Sequence, residues 1–236
     1  MKKNLSVLML YVRGILPHCL GYMIGIGIGQ ILFFWMDGLE QVNLEWAFAR
    51  GLNDTSHLLA FATMSVHMCM TFSDRGGKMG NTLLRLRISE KQGFWMHAAA
   101  NALVFTLYFL VQALVYIAFC FWFDPGVTGL EILVTAYENV HFHQFLPLHD
   151  IWQIIANVAT ILGLSIACAA YPMRQRHGRN SITTYLMVLV VVFYQFLRDE
   201  GDHLDAGNSI FFLLVTIYCI SVCLAGTMSL EVDDDD

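Results

Sequence analysis

From Phe94 to Phe123 the chain runs for thirty residues without an Asp, Glu, Lys or Arg. Roughly 17–25 apolar residues are enough to cross the hydrocarbon core of a bilayer as a helix. A stretch of this length therefore restricts the fold more than any other feature. Five further stretches are also free of these charges, so the six expected spans are about Ile15–Met36, Ser56–Phe72, Phe94–Phe123, Ile151–Met173, Ile182–Leu197 and Ser209–Leu230. The third exceeds what a crossing needs, which predicts tilt, a kink or extension beyond the membrane. Composition agrees: 57% of residues are hydrophobic and 14% charged, where soluble domains carry about 25% charged residues. The expected fold is an all-α membrane protein of one six-span domain over residues 15–230.

The segments between spans set the orientation. Lys2, Lys3 and Arg13 precede the first span, Arg75, Lys78, Arg85, Arg87 and Lys91 lie between the second and third, and Arg174, Arg176 and Arg179 between the fourth and fifth. Eleven of the thirteen basic residues thus share one side, and only Arg50 and Arg198 lie opposite. The positive-inside rule then predicts both termini in the cytoplasm. The opposite side (Asp37–Thr55, Asp124–Asp150, Asp199–Asn208) is acidic and rich in histidine, and Trp35, Trp46, Trp122 and Trp152 mark its boundary. Residues 1–14 read as a cytoplasmic amphipathic surface helix, with Lys2, Lys3 and Arg13 among headgroups and Leu5, Leu8 and Val12 toward lipid. The apolar run is too short, and lacks a small-residue cleavage site, for a secretion signal. The acidic tail, 231–236, is a solvated end or an added tag and carries no argument.

Transporters driven by an ion gradient usually hold an ionisable residue within the membrane. The spans contain no Asp, Glu, Lys or Arg, which counts against ion coupling and against chemistry by paired carboxylates. HExxH and GxSxG are absent from the sequence. "GGKMGN" fails as a phosphate loop because Phe72 and Met79 stand where glycine and Ser/Thr are required. The chain is expected not to be an enzyme by itself, and to carry no cofactor. The net charge of −6, divided between opposite sides, gives no nucleic-acid surface. All six cysteines fall in apolar stretches without CxxC spacing and read as small buried hydrophobes.

The polar residues of the spans are His18, Gln30, His67, His97, Asn101, Gln112, Gln153, Asn157 and Gln195. They either line a path or bond one helix to another, the latter being the common use of such residues in membranes. Gly21, Gly25 and Gly29 recur every four residues and form one smooth helix face, suited to internal packing or to a subunit interface. His141, His143, His149 and His203 give imidazoles for a metal on the acidic side. Their spacings match no standard site, so a solvated surface is the competing reading.

Residues 73–93 concentrate basic charge between two apolar stretches. Asn81 can cap a short helix, "TLLRLRISEK", on which Met79, Leu83 and Leu86 form an apolar stripe while Arg85 and Arg87 project elsewhere. The run "SDRGGKMGNTLLRLRISEKQGFWMHAAANALVF" resembles the cytoplasmic link between the second and third spans of type-2 ABC permeases. Asp74-Arg75, Asn81-Thr82-Leu83-Leu84 and Ile88-Ser89 stand where that family has its acidic-basic pair, its Gly-Thr-Leu stretch and its Ser or Pro. The family's architecture of a cytoplasmic surface helix and six spans agrees along nearly the whole chain. This sequence departs in its short segment between spans five and six, and in Gly80-Asn81-Thr82, which interrupts the usual Gly-Thr pair.

The resemblance implies a transmembrane subunit of an ATP-driven exporter in a cell membrane, of bacterial origin, moving a lipid-like, peptide or drug-like substrate. It implies that Met79, Thr82, Leu83, Leu84, Arg85, Leu86 and Arg87 form a coupling helix that docks on a separate ATPase subunit. ATP and Mg2+ would be bound by that subunit, and a second permease chain, identical or related, would complete the path. The alternative is a sensor or scaffold that binds a ligand on its His-rich outer face. A channel or secondary transporter is a third reading, weakened by the charge-free spans.

Overall fold

The computed structural model describes residues 2–36, 52–72, 88–123, 151–179, 206–233 and most of 182–189. These residues are almost entirely helical, and no strand occurs among them. The helices are α1 (Lys2–Met36), α2 (Leu52–Met70), α3 (Glu90–Phe123), α4 (Ile151–Arg176) and α5 (Ala206–Asp233). Three stretches, Asn4–Leu32, Glu90–Ala118 and Ile151–Arg176, are long and apolar enough to cross a membrane, and Leu59–Met70 and Leu213–Ala225 are shorter apolar helices. Of the expected span Ile182–Leu197, the described residues between 182 and 189 are helical.

The N-terminal segment differs from the expected separate surface helix. α1 is one helix of 35 residues, about 52 Å long, and it continues through Arg13, Gly14 and Pro17. Within residues 1–14, Leu5 is exposed as expected, but Val7 and Tyr11 are buried in the bundle core. Their burial explains the continuity, because this segment gains more by packing against protein than a helix lying in headgroups would.

The start of α3 also corrects the sequence reading. The short helix was expected to run through Lys91, but Ile88 and Ser89 are non-helical and α3 begins at Glu90. Ser89 is the N-cap: its Oγ accepts a 3.3 Å hydrogen bond from the Gln92 amide, and its carbonyl accepts one of 3.0 Å from the Gly93 amide. Ser-x-x-Gln is the capping-box pattern, in which the cap side chain satisfies an amide that no helical carbonyl can reach. At the same end of the fold, α4 ends in a Schellman turn. Gly178 adopts φ 71°, the Arg179 amide bonds to the Arg174 carbonyl at 3.0 Å, and the Gly178 amide bonds to Gln175 at 3.0 Å.

Packing fixes the topology. α4 is central and touches α2, α3 and α5, while α1 packs on α2 and α3. Tyr11 meets Phe72 at the end of α2 and His97 near the start of α3, so α1 and α3 run together and α2 runs against them. The Asn101–Ser165 and Glu90–His177 pairs make α3 and α4 antiparallel. Gly163 faces Thr216, and Cys168 interacts with Cys223 further along both helices. α4 and α5 are therefore parallel.

Candidate functional site

Two regions of the bundle hold side chains that exceed the needs of packing. The first lies at the end carrying Arg174, Arg176 and Arg179, here termed the basic end. The Tyr11 ring stacks on His97 with centroids 4.8 Å apart and planes 8° from parallel. Phe72 closes edge-on against both rings, at 4.8 Å from Tyr11 and 5.0 Å from His97. A Cβ added to Gly93 would lie 3.5 Å from the Tyr11 hydroxyl. All three rings are buried. Phe72 is the last described residue before the basic segment 73–93, Gly93 is the last residue of that segment, and His97 lies four residues further on. One α1 side chain thus touches the residue before the basic segment 73–93 and the segment's last residue, Gly93, as well as joining α1 to α2 and α3.

α4 ties to the same place. His177 Nε2 lies 2.6 Å from Glu90 Oε2, a contact between the end of α4 and the first turn of α3. Because both side chains are partly exposed, such a pair contributes about 0–1 kcal/mol and acts mainly as a positional tie. Arg176 Nε donates to the Pro172 carbonyl at 3.3 Å, and Arg174 donates to Thr184 Oγ1 at 3.2 Å, linking α4 to the helical residues beyond Gly178.

The second region is the polar interior between α3 and its neighbours. Gln30, His97, Asn101, Gln112, Gln153 and Asn157 are all buried. Asn101 Nδ2 donates to the Ser165 carbonyl at 3.2 Å, the interhelical bonding that the sequence allowed for. His97 Nε2, Asn101 Oδ1 and both amide atoms of Gln112 are sealed from solvent without a hydrogen-bond partner. An unpaired buried polar group costs about 1–3 kcal/mol, so Gln112 is costly where it stands. Cys69, Cys168 and Cys223 also converge from three helices; Cys168 Sγ donates to the Ser65 carbonyl at 3.7 Å. The five cysteines whose side chains are described, Cys19, Cys69, Cys168, Cys219 and Cys223, are free and buried, as expected of small hydrophobes.

Residues predicted as sites divide clearly. Met79, Thr82, Leu83, Leu84, Arg85, Leu86 and Arg87 lie outside the described residues, as do His141, His143, His149 and His203. Among the described residues no group of three or more His, Cys, Asp or Glu side chains is placed to hold a metal ion. Gly21, Gly25 and Gly29 lie on an exposed face of α1, and a Cβ added to any of them meets nothing within 4 Å. No other described helix packs on the three glycines themselves. His18 shares that face, with its ring 4.6 Å from that of half-buried His67. The sequence reading overlooked Tyr11 and Phe72. Their aromatic character next to the basic segment was the only available signal, and it is weak among seventeen Phe and nine Tyr.

The architecture is that of a helical bundle with membrane-length helices. No family model matches the chain, and no curated protein or solved structure matches it.

Proposed function

We propose that the chain is the transmembrane permease subunit of an ATP-driven exporter. It has six spans and cytoplasmic termini, works as a homo- or heterodimer, and moves a lipid-like, peptide or drug-like substrate. The carrying observation is that Tyr11 touches both Phe72, which precedes the basic segment, and Gly93, which ends it. A force applied to residues 73–87 by a docked ATPase would reach α1, α2 and α3 through one buried ring stack, and α4 through Glu90–His177. A loop that served only to satisfy the positive-inside rule would need no such linkage. The parallel course of α4 and α5 is consistent with a further crossing between them.

In this reading Met79, Leu83, Leu84 and Leu86 fill a groove of the ATPase subunit, Thr82 lies beside them, and Arg85 and Arg87 complete the contact. Closure of the ATPase pair on ATP and Mg2+ then rocks the helices between inward and outward openings. The test is affinity capture of the full chain from its native membranes, with wild type beside the Leu83→Asp, Leu86→Asp double variant. The expected result is a co-purifying ATPase with a phosphate loop, lost in the variant. Absence of any ATPase, under conditions that preserve other membrane complexes, refutes the reading.

A further inference from the structure

Thiols are gathered where α2, α4 and α5 meet. Cys69 on α2, Cys168 on α4, and Cys219 and Cys223 on α5 all interact within this group. One pair is in direct contact: the thiols of Cys69 and Cys168 share a hydrogen bond, across two helices that pack on each other. Cys168 Sγ donates to the Ser65 carbonyl at 3.7 Å, one turn before Cys69. A thiol has one proton to give, so the Cys69 S–H is the donor toward the Cys168 sulfur. The two sulfurs therefore face each other, and both residues are buried and free of any disulfide.

Small buried hydrophobes can be scattered anywhere in a core, and alanine would serve many such places. Sulfur set against sulfur on two separate helices is what a disulfide needs, and its formation admits no ligand into the core. The pair loses its two thiol hydrogens and the sulfurs close to about 2.05 Å. Cys69 lies in the last turn of α2, three residues before Phe72. A bond there fastens to α4 the end of α2 that leads into the basic segment.

We propose that Cys69 and Cys168 are an oxidation site, converted by a hydroperoxide, ROOH, into a disulfide that joins α2 to α4. One sulfur attacks the terminal peroxide oxygen. The O–O bond breaks, ROH leaves with the thiol proton, and a sulfenic acid remains. The second sulfur then attacks the sulfenic sulfur, the S–O bond breaks, and water leaves with the second thiol proton. The two sulfurs together lose two electrons, and the O–O bond gains them. Burial selects the oxidant, because an uncharged hydroperoxide enters with the lipid. Burial also protects the product, since exchange with a charged thiol such as glutathione requires access to the sulfurs. The inference does not depend on an ATPase partner, since a permease or a receptor could be locked in the same way.

The test treats the full chain in lipid vesicles with tert-butyl hydroperoxide and quenches at low pH, which stops thiol exchange. Remaining thiols are alkylated on denaturation, and the digest is read by mass spectrometry. Expected is a linked peptide pair carrying Cys69 and Cys168, lighter than its two parts by two hydrogens and separated again by a reductant. The link is lost in Cys69→Ala, with Cys168→Ala serving where that variant does not fold, and it persists in Cys223→Ala. Failure of the pair to link overturns the proposal, as does sulfinic or sulfonic acid at Cys69 in place of the link. A link that instead pairs Cys223 with either residue, or that requires Cys223, equally overturns it.

Discussion

Gly163 is where α4 and α5 meet with no room to spare. A Cβ built there would lie 2.8 Å from Thr216 Cγ2, closer than real Cβ contacts. Thr216 is 1% exposed, and a β-branched side chain in a helix has little freedom at χ1. The methyl cannot swing aside cheaply, so the two helices have to separate. Gly163→Ala gains about 1 kcal/mol of intrinsic helix propensity, while overpacking costs about 1–3 kcal/mol. The net effect should be a loss of up to about 2 kcal/mol by this reasoning. A single variant mixes the two terms, so the decisive experiment is a double-mutant cycle with Thr216→Ser, which deletes only the clashing methyl. In that background Gly163→Ala should become stabilising by about 1 kcal/mol, giving a coupling of about 1–3 kcal/mol. Denaturant titration in detergent micelles, followed by far-UV circular dichroism, measures all four corners. Gly25→Ala is the control, since a Cβ there meets nothing within 4 Å; it should gain about 1 kcal/mol in either background. A coupling below about 0.5 kcal/mol, within ordinary additivity error, would refute the claim that this contact sets the approach of α4 and α5.

Ser89→Ala removes the hydroxyl that caps α3 and should cost about 1 kcal/mol in the same titration, whereas Ser89→Asp should be close to neutral. Gly178→Ala places a Cβ on a residue at φ 71° and should destabilise the chain by about 1–2 kcal/mol, with amide exchange accelerated at the end of α4. Tyr11→Leu keeps apolar volume but removes the ring shared by Phe72 and His97. On the exporter reading it leaves ATPase capture intact and lowers the substrate moved per ATP hydrolysed in reconstituted vesicles. Transport at the wild-type ratio would show that the stack is packing alone.

The three helices long and apolar enough to cross a membrane were legible because charge-free length is a property that any one segment displays by itself. α3 and α4 coincide with the expected third and fourth spans to within a few residues. The start of α3 could have been placed better, since Ser89-Glu90-Lys91-Gln92 carries a capping box that takes precedence over the apolar stripe running into it. The continuity of α1 was harder to see. Lys2, Lys3 and Arg13 around a short apolar run fit a headgroup-bound helix, and only burial of Val7 and Tyr11 by α2 and α3 contradicts it. Arg13 remains exposed on the opposite side of the same helix. A charge on one face therefore says little about what the other face packs against.

The deeper limit comes from the solvent. In water, an amphipathic stripe separates core from surface; in lipid, both faces of a helix are apolar and the stripe disappears. On α3, exposed Leu103, Leu110 and Leu114 are as hydrophobic as buried Val104, Phe105 and Phe109, so hydropathy cannot orient the helix. Polarity can, because an amide facing lipid has no partner. His97, Asn101 and Gln112 fall within one face of α3, and that face is the buried one. On α4, Gln153, Asn157, Thr160 and Ser165 likewise all point inward. The His, Asn and Gln residues of α3 and α4 thus give the rotation that the many apolar ones conceal. They do so without revealing which of them bond one helix to another, since Asn101 and Gln112 have the same sequence signature. The distinction lies in what each side chain meets: Asn101 finds the Ser165 carbonyl, whereas Gln112 has its full hydrogen-bonding capacity unmet inside a sealed core.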